Sequence, residues 1–299
     1  MNKNKKFLLL TVLAVFSLVL AACGFGGGDS SDTSKDDSKD SGTSGTASKN
    51  LNLVVTSEPP SLHPQLATDS TSSAVLINIF EGLTRLDKDG TPTPAMAEKW
   101  DVSEDGLTYT FHLRDAKWTN GDPVVAGDFE YAWKWALNPE NLSEYASVFY
   151  PIKGAEAYNT GAGSVDEVGI KAEDEKTLVV TLANPTAYFL ELTAFKTYSP
   201  INQKVVEGKD DWYAEAGENY VTNGPYTLDT WKHSDSIVLK KNDGYWDAAN
   251  VAVNTVNIGM VENEATAVTM FKNGEIDYLG SPYQTVALDL LIDSKLTSH

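Results

Sequence analysis

The chain has 299 residues and a formal net charge of −19 at pH 7. So acidic a surface repels polyanions, which excludes nucleic acid as a partner and leaves cationic or zwitterionic ligands open. Its single cysteine excludes an intramolecular disulfide and paired-cysteine metal sites, and the length accommodates one large or two ordinary domains.

In chain order, residues 1–22 have the three parts of an export signal. Lys3, Lys5 and Lys6 form a basic start, Phe7–Leu20 is an apolar or small-residue run, and small residues follow. The run is short for a bilayer span, which needs about 20 residues. The lone thiol, Cys23, follows Leu20-Ala21-Ala22, a spacing that resembles the bacterial lipobox. That resemblance implies cleavage before Cys23 and a diacylglyceryl anchor, which holds firmly because two chains are buried. The competing reading is an ordinary signal peptide with a chance cysteine. Residues 23–50 are then a polar, Gly/Ser/Thr/Asp/Lys-rich tether with no core-forming residue after Phe25.

Residues 51–291 read as the folded domain. Leu51, Leu53 and Val55 alternate as a first strand. Prolines 59, 60 and 64 then force an extended crossing. Thr68–Ser73 is polar and able to form a strand. A helix follows, with Ser72 or Ser73 as its expected N-cap and Gly82 as its end. Leu107, Tyr109, Phe111 and Leu113 have the period of a half-buried strand, and a helix from about Asp128 carries Phe129, Ala132, Trp133 and Ala136 on one stripe until Pro139. Val168–Ala172 and Thr177–Leu182 make a hairpin. A helical portion runs from Tyr188 to about Gly208. Strands at Ile237–Lys241 and Val256–Met260, a helix closed by Asn273-Gly274 and a helix from Val286 complete the order.

The words within these elements say more. "DGLTYTFHLRDAKWTNGDPVVAGDFEYAW" (105–133), "VTNGPYTL" (221–228) with Trp231, Asn242, Tyr245 and Trp246, and "GEID" (274–277) occur in this order. Together they resemble the peptide/nickel class of extracytoplasmic solute-binding proteins, family 5, of the oligopeptide-binding type. The resemblance covers essentially Leu51–Leu291. It implies an α/β, periplasmic-binding-protein-like (class II type) fold: a mixed-sheet lobe with an inserted α+β domain. About residues 275–299 begin a second lobe that is otherwise missing. Family members continue well beyond this length, so a C-terminally truncated chain of poor solubility is expected. Two letters depart from the pattern: His63 stands where an aspartate is usual, and Val125 where a hydroxyl would cap the helix.

No G-x-S-x-G, H-E-x-x-H or P-loop is present, the four histidines form no ligand run, and no carboxylate pair stands out. The chain is therefore read as a non-enzyme without cofactor or metal. The resemblance implies a monomeric, lipid-anchored subunit on the outer face of the cell membrane. It captures oligopeptides by their main chain and hands them to an ABC permease. A signalling-peptide receptor, or a same-family binder of a nickel complex, haem or oligosaccharide, stays open. By position in the family, Thr68, Asp69 and Ser70 offer a strand edge to the ligand, Tyr145 is an aromatic near the cleft, and Ser281 lies where the chain enters the cleft. The plain alternatives are a helix-capping loop for the first three and loop packing for Tyr145. The acidic partner of the peptide amino terminus falls in the part beyond His299. Trp118, Trp133, Tyr226, Trp231 and Trp246 sit in strand or helix patterns and read as core.

Overall fold

The structure is a computed structural model that describes residues 49–290. The expected signal peptide, Cys23 and nearly all of the tether lie outside the described residues, as does the end of the helix from Val286.

In chain order the elements are β1 (Asn50–Val55), α1 (Ser70–Ile79), β2 (Thr84–Leu86), β3 (Pro92–Pro94), β4 (Ala97–Val102), β5 (Thr108–Leu113), α2 (Ala126–Leu137), α3 (Ala155–Asn159), β6 (Ile170–Ala172), β7 (Thr177–Thr181), α4 (Phe189–Leu192), α5 (Gln203–Val206), β8 (Tyr226–Lys232), β9 (Ser236–Lys241), β10 (Thr255–Met260) and α6 (Glu264–Lys272). One sheet has the order β1-β10-β9-β8 and another β4-β5-β7-β6, while β2 and β3 form a small ribbon. β1 lies parallel to β10, with Leu53 beside Ile258, and β8, β9 and β10 are antiparallel. The mixed sheet thus joins the first strand to one some two hundred residues later. Both sheets feed one continuous core, in which Leu53, Ile237 and Ile258 belong with Phe111, Trp133 and Phe149.

The period-2 pattern of β5 holds: Tyr109, Phe111 and Leu113 are buried between half-buried neighbours. In β1 the alternation is incomplete, because Val54 is also buried, against Ala267 of α6 and Ile276. A strand covered on both faces loses its alternation.

The structure corrects several expected boundaries. The cap of α1 is Asp69, not Ser72 or Ser73: its Oδ1 accepts from the Ser72 amide at 2.7 Å. A carboxylate one turn earlier satisfies an orphan helical N–H, so the helix begins sooner. No strand forms at 68–70. Nor does Gly82 end the helix; Phe80 turns extended at the C-cap. Gly82 is there because a Cβ would lie 2.3 Å from the Thr193 carbonyl oxygen. α2 starts at Ala126. Val125 cannot cap it, and Asp128 Oδ2 accepts from the Val125 amide at 3.0 Å and from Trp118 Nε1 at 2.9 Å. Burial pushes the Asp128 carboxyl up. The helical portion expected from Tyr188 to Gly208 is three short turns, α4, a 3-10 turn at Lys196–Tyr198 and α5, with Pro200 before the last.

The motif words meet at one buried carboxylate. Glu81 accepts from Tyr245 Oη at 2.5 Å and from Trp246 Nε1 at 2.6 Å. Its backbone exchanges two bonds with the Asn223 side chain, at 3.0 and 2.9 Å. Gly224 presses on the end of α1, where a Cβ would sit 2.5 Å from the Ile79 carbonyl carbon, and Asn242 Nδ2 donates to the Gly224 carbonyl at 3.0 Å. Residues 223–224 and 242–246 of the second word, closed on Glu81, are therefore a structural knot. The third word serves likewise: Asp277 accepts from the Asn52 amide at 2.7 Å and returns its own amide to Asn52 O at 2.8 Å, covering part of the β1 edge.

Candidate ligand-binding edge

The crossing from β1 to α1 is tied down from beneath by side chains distant in sequence. Gln65 is fully buried, and its Nε2 donates to the carbonyls of Thr197 and Ser199 at 3.1 and 2.7 Å. Ser143 Oγ donates to Gln65 O at 2.6 Å. Lys196 Nζ donates to the Ala67 carbonyl, and Tyr145 Oη to the Thr68 carbonyl at 3.2 Å. These bonds fix the carbonyls of Gln65, Ala67 and Thr68. Thr68 and Ser70 are left exposed and Asp69 half-buried. Among the described residues, the backbone N–H groups of Thr68, Asp69 and Ser70 make no hydrogen bond. Three unspent donors thus follow one another beside carbonyls, those of Gln65, Ala67 and Thr68, that are already used.

Four of the five sequence-derived ligand residues in the described region thus converge: Thr68, Asp69, Ser70 and Tyr145. Ser281 does not join them. It is exposed, follows Tyr278 whose Oη donates to its carbonyl at 2.6 Å, and precedes Tyr283, whose Oη accepts from Asn78 Nδ2 at 3.0 Å. Asn78 lies near the far end of α1, about 12 Å along the axis from Ser70.

Sequence reading missed Gln65, Ser143, Phe195 and Lys196. The only signal for Lys196 is a cation inside the apolar run Leu192–Tyr198. It is 5% exposed and has no carboxylate within ion-pair distance among the described residues. Its Nζ stands 5.1 Å from the ring centres of both Tyr145 and Phe195. Burial pulls its pKa down to about 8, partly opposed by the charge of Asp69.

His63, the departure from the family letter, is buried below the same crossing. Its ring stacks on Trp135 at 4.4 Å and meets Trp212 at 5.0 Å and Tyr213 at 4.9 Å. Nδ1 accepts from the Gln65 amide at 3.2 Å, so the neutral ring carries its proton on Nε2, which has no partner. Burial lowers the pKa to about 3. An aspartate could not use this aromatic surround. The imidazole can.

The edge is a ledge rather than a pocket. Thr68, Asp69, Ser70 and Tyr145 line neither the cavity of about 240 Å³ beside His63, nor that of about 430 Å³ along α2, nor that of about 610 Å³ near Tyr220. Of the aromatic residues read as core, Trp118 and Trp133 are fully buried; Tyr226, Trp231 and Trp246 are half-buried against it. Trp231 Nε1 donates to Glu58 at 2.7 Å.

The chain is 52% identical over 280 residues to the oligopeptide-binding protein OppA of Bacillus subtilis, covering 93% of this chain and 50% of that one. It is 38% identical over 224 residues to the periplasmic oligopeptide-binding protein OppA of Escherichia coli, covering 74% of this chain and 41% of that one. Among solved structures, it matches Listeria monocytogenes OppA bound to peptide with a TM-score of 0.78 at 35% identity, over 84% of this chain and 49% of that chain. The oligopeptide ABC transporter substrate-binding domain of Bacillus anthracis matches with a TM-score of 0.75 at 45% identity, over 77% of this chain and 45% of that chain. The chain thus spans about half the length of the relatives it matches. The fold is that of the OppA-type solute-binding proteins. Residues 91–297 match the model of the bacterial extracellular solute-binding proteins, family 5 (middle region), and the chain belongs to that family.

Proposed function

We propose that the protein is the substrate-binding subunit of an ABC importer, that it captures extracellular oligopeptides by their backbone, and that Thr68–Ser70 is one edge of the grip. The observation that carries this reading is the row of three consecutive N–H groups, at Thr68, Asp69 and Ser70, that make no hydrogen bond among the described residues. An extended peptide presents carbonyl oxygens to such a row without its side chains being read. Each bond nets about 0.5–1.5 kcal/mol, so several are needed and no single side chain decides affinity. A ledge needs a facing wall. In relatives about twice as long, further chain supplies mass for one, and closure of two lobes about the ligand is the mechanism we assign. Cys23 is the proposed lipid attachment, which places the domain on the outer face of the membrane beside a permease. The names of the relatives, all oligopeptide- or dipeptide-binding in the cases of B. subtilis, favour a peptide over a metal complex or sugar.

Ser70→Pro tests the edge directly. Ser70 is the first residue of α1, where proline is tolerated because its missing N–H has no helical partner. Asp69, at φ −97° and ψ 164°, already has the backbone that a following proline demands. The substitution is expected to leave the melting temperature unchanged and to weaken oligopeptide binding by the full-length protein about three- to tenfold in calorimetry. Unchanged affinity would remove Ser70 from the grip. Absence of any peptide binding by the unsubstituted protein would remove the function.

A further inference from the structure

We propose that Lys196 is a positioning residue for ligand capture: its ammonium, donating to the Ala67 carbonyl, orients and strengthens the Thr68 N–H at the other end of the same peptide unit. This rests on the capture reading above and assigns the residue that prepares the edge.

Three observations carry it. The first is connectivity. Ala67 C=O and Thr68 N–H belong to one planar amide, so a donor fixed on the oxygen fixes the direction of the hydrogen. Ala67 is buried, Thr68 is exposed, and the amide spans that boundary. The second is charge. A hydrogen bond from an ammonium is stronger than one from a neutral group, and it polarises the amide so that its N–H becomes a better donor. A neutral side chain reaching the same oxygen would orient the unit but polarise it less. The third is that nothing else explains the cation. A lysine 5% exposed without an ion-pair partner is unfavourable. For folding alone, a methionine of similar length would serve as well or better. The ammonium lies beside the paired rings of Tyr145 and Phe195, and Tyr145 also fixes the Thr68 carbonyl, so one cluster sets both ends of Thr68.

The ligand group addressed is a main-chain carbonyl oxygen of an extended peptide. The groups facing Lys196 are the Asp69 carboxylate, the Tyr145 phenol and the Thr197 hydroxyl, which accepts from Nζ at 3.4 Å. The charge of Asp69 opposes the loss of the Lys196 proton, which occurs near pH 8.

The test is calorimetric titration of the full-length protein with tetra-alanine between pH 7 and 9.5, for the natural protein, Lys196→Met and Lys196→Arg. The peptide's own amine titrates in this range too, and Lys196→Met reports that contribution by itself. At pH 7, Lys196→Met is expected to bind about tenfold more weakly. Approaching pH 9.5, the natural protein is expected to converge on Lys196→Met. Lys196→Arg, charged throughout, is expected to keep its advantage over Lys196→Met. Equal affinities at pH 7, or parallel pH profiles for the natural protein and Lys196→Met, overturn the proposal while leaving peptide capture intact. No tetra-alanine binding by the natural protein at pH 7 overturns both. If Lys196→Met fails to fold, the natural protein against Lys196→Arg still decides: profiles that do not diverge above pH 8 count against it.

Discussion

Glu81→Ala is expected to destabilise the fold by about 3 kcal/mol, measured as a lower urea midpoint at unchanged slope. The carboxylate is 8% exposed and receives the Tyr245 hydroxyl and the Trp246 indole N–H. Removing it leaves both donors facing a space that alanine does not fill, and each buried orphan costs about 1–3 kcal/mol. Arg85 suffers less, because Asp247 remains its partner at 3.2 Å. Burial raises the Glu81 pKa, against the opposing pull of the two side-chain donors and of Arg85 and Arg114. Glu81→Gln is therefore expected to fall between the natural protein and Glu81→Ala. The amide retains one acceptor but sets N–H against N–H at the other site. A loss below about 1 kcal/mol for Glu81→Ala would show that the knot among the family words is held elsewhere.

The second large effect is a pH dependence. The His63 imidazole titrates near 6.5 when unfolded and at about 3 in the fold. Between those values the unfolded chain holds a proton that the native ring refuses, so this group's contribution to stability falls as the pH falls. By pH 4.5 the loss amounts to about 3 kcal/mol relative to neutral pH. Glu81 and Asp128 act in the opposite sense: their raised pKa values mean that the native state takes up protons first as the pH drops. The His233 pKa, raised mainly by its hydrogen bond to Glu58, adds to that opposite trend. Comparison with His63→Phe cancels these shared terms. The variant keeps a ring between Trp135, Trp212 and Tyr213 but forfeits the acceptor for the Gln65 amide, so it starts from a lower stability. What matters is the slope: from pH 6.5 to 4.5 the natural protein is expected to lose about 2 kcal/mol more than His63→Phe. Parallel denaturation profiles over that range would mean that the imidazole is charged or wet in the fold.

Much of the architecture was legible because burial writes itself into period. The alternation of Tyr109, Phe111 and Leu113 and the stripe of Phe129, Ala132, Trp133 and Ala136 predict β5 and α2 as observed. Boundaries were less legible where two residues competed for one role. A serine or an aspartate can cap α1, and geometry chose Asp69. Val125 looked like a missing cap, but Asp128 supplies half of one from inside the helix. The segment from Tyr188 to Gly208 has helical composition, yet Pro200 and the needs of the edge it supports break it into turns. The second and third motif words proved to be packing and hydrogen-bond devices around Glu81 and Asn52.

From residue order alone came the family, the order of strands and helices and the acidic character. These follow from local periodicity and short contiguous words, which a linear chain displays openly. Only the tertiary structure decided which donors stay free and what stands behind them. Ser143, Tyr145 and Lys196 reach Gln65, Thr68 and Ala67 across 77 to 129 positions of sequence, and no period or spacing encodes such a meeting. Whether an amide is spent or available depends on every atom that folds against it, and that is a property of the closed chain.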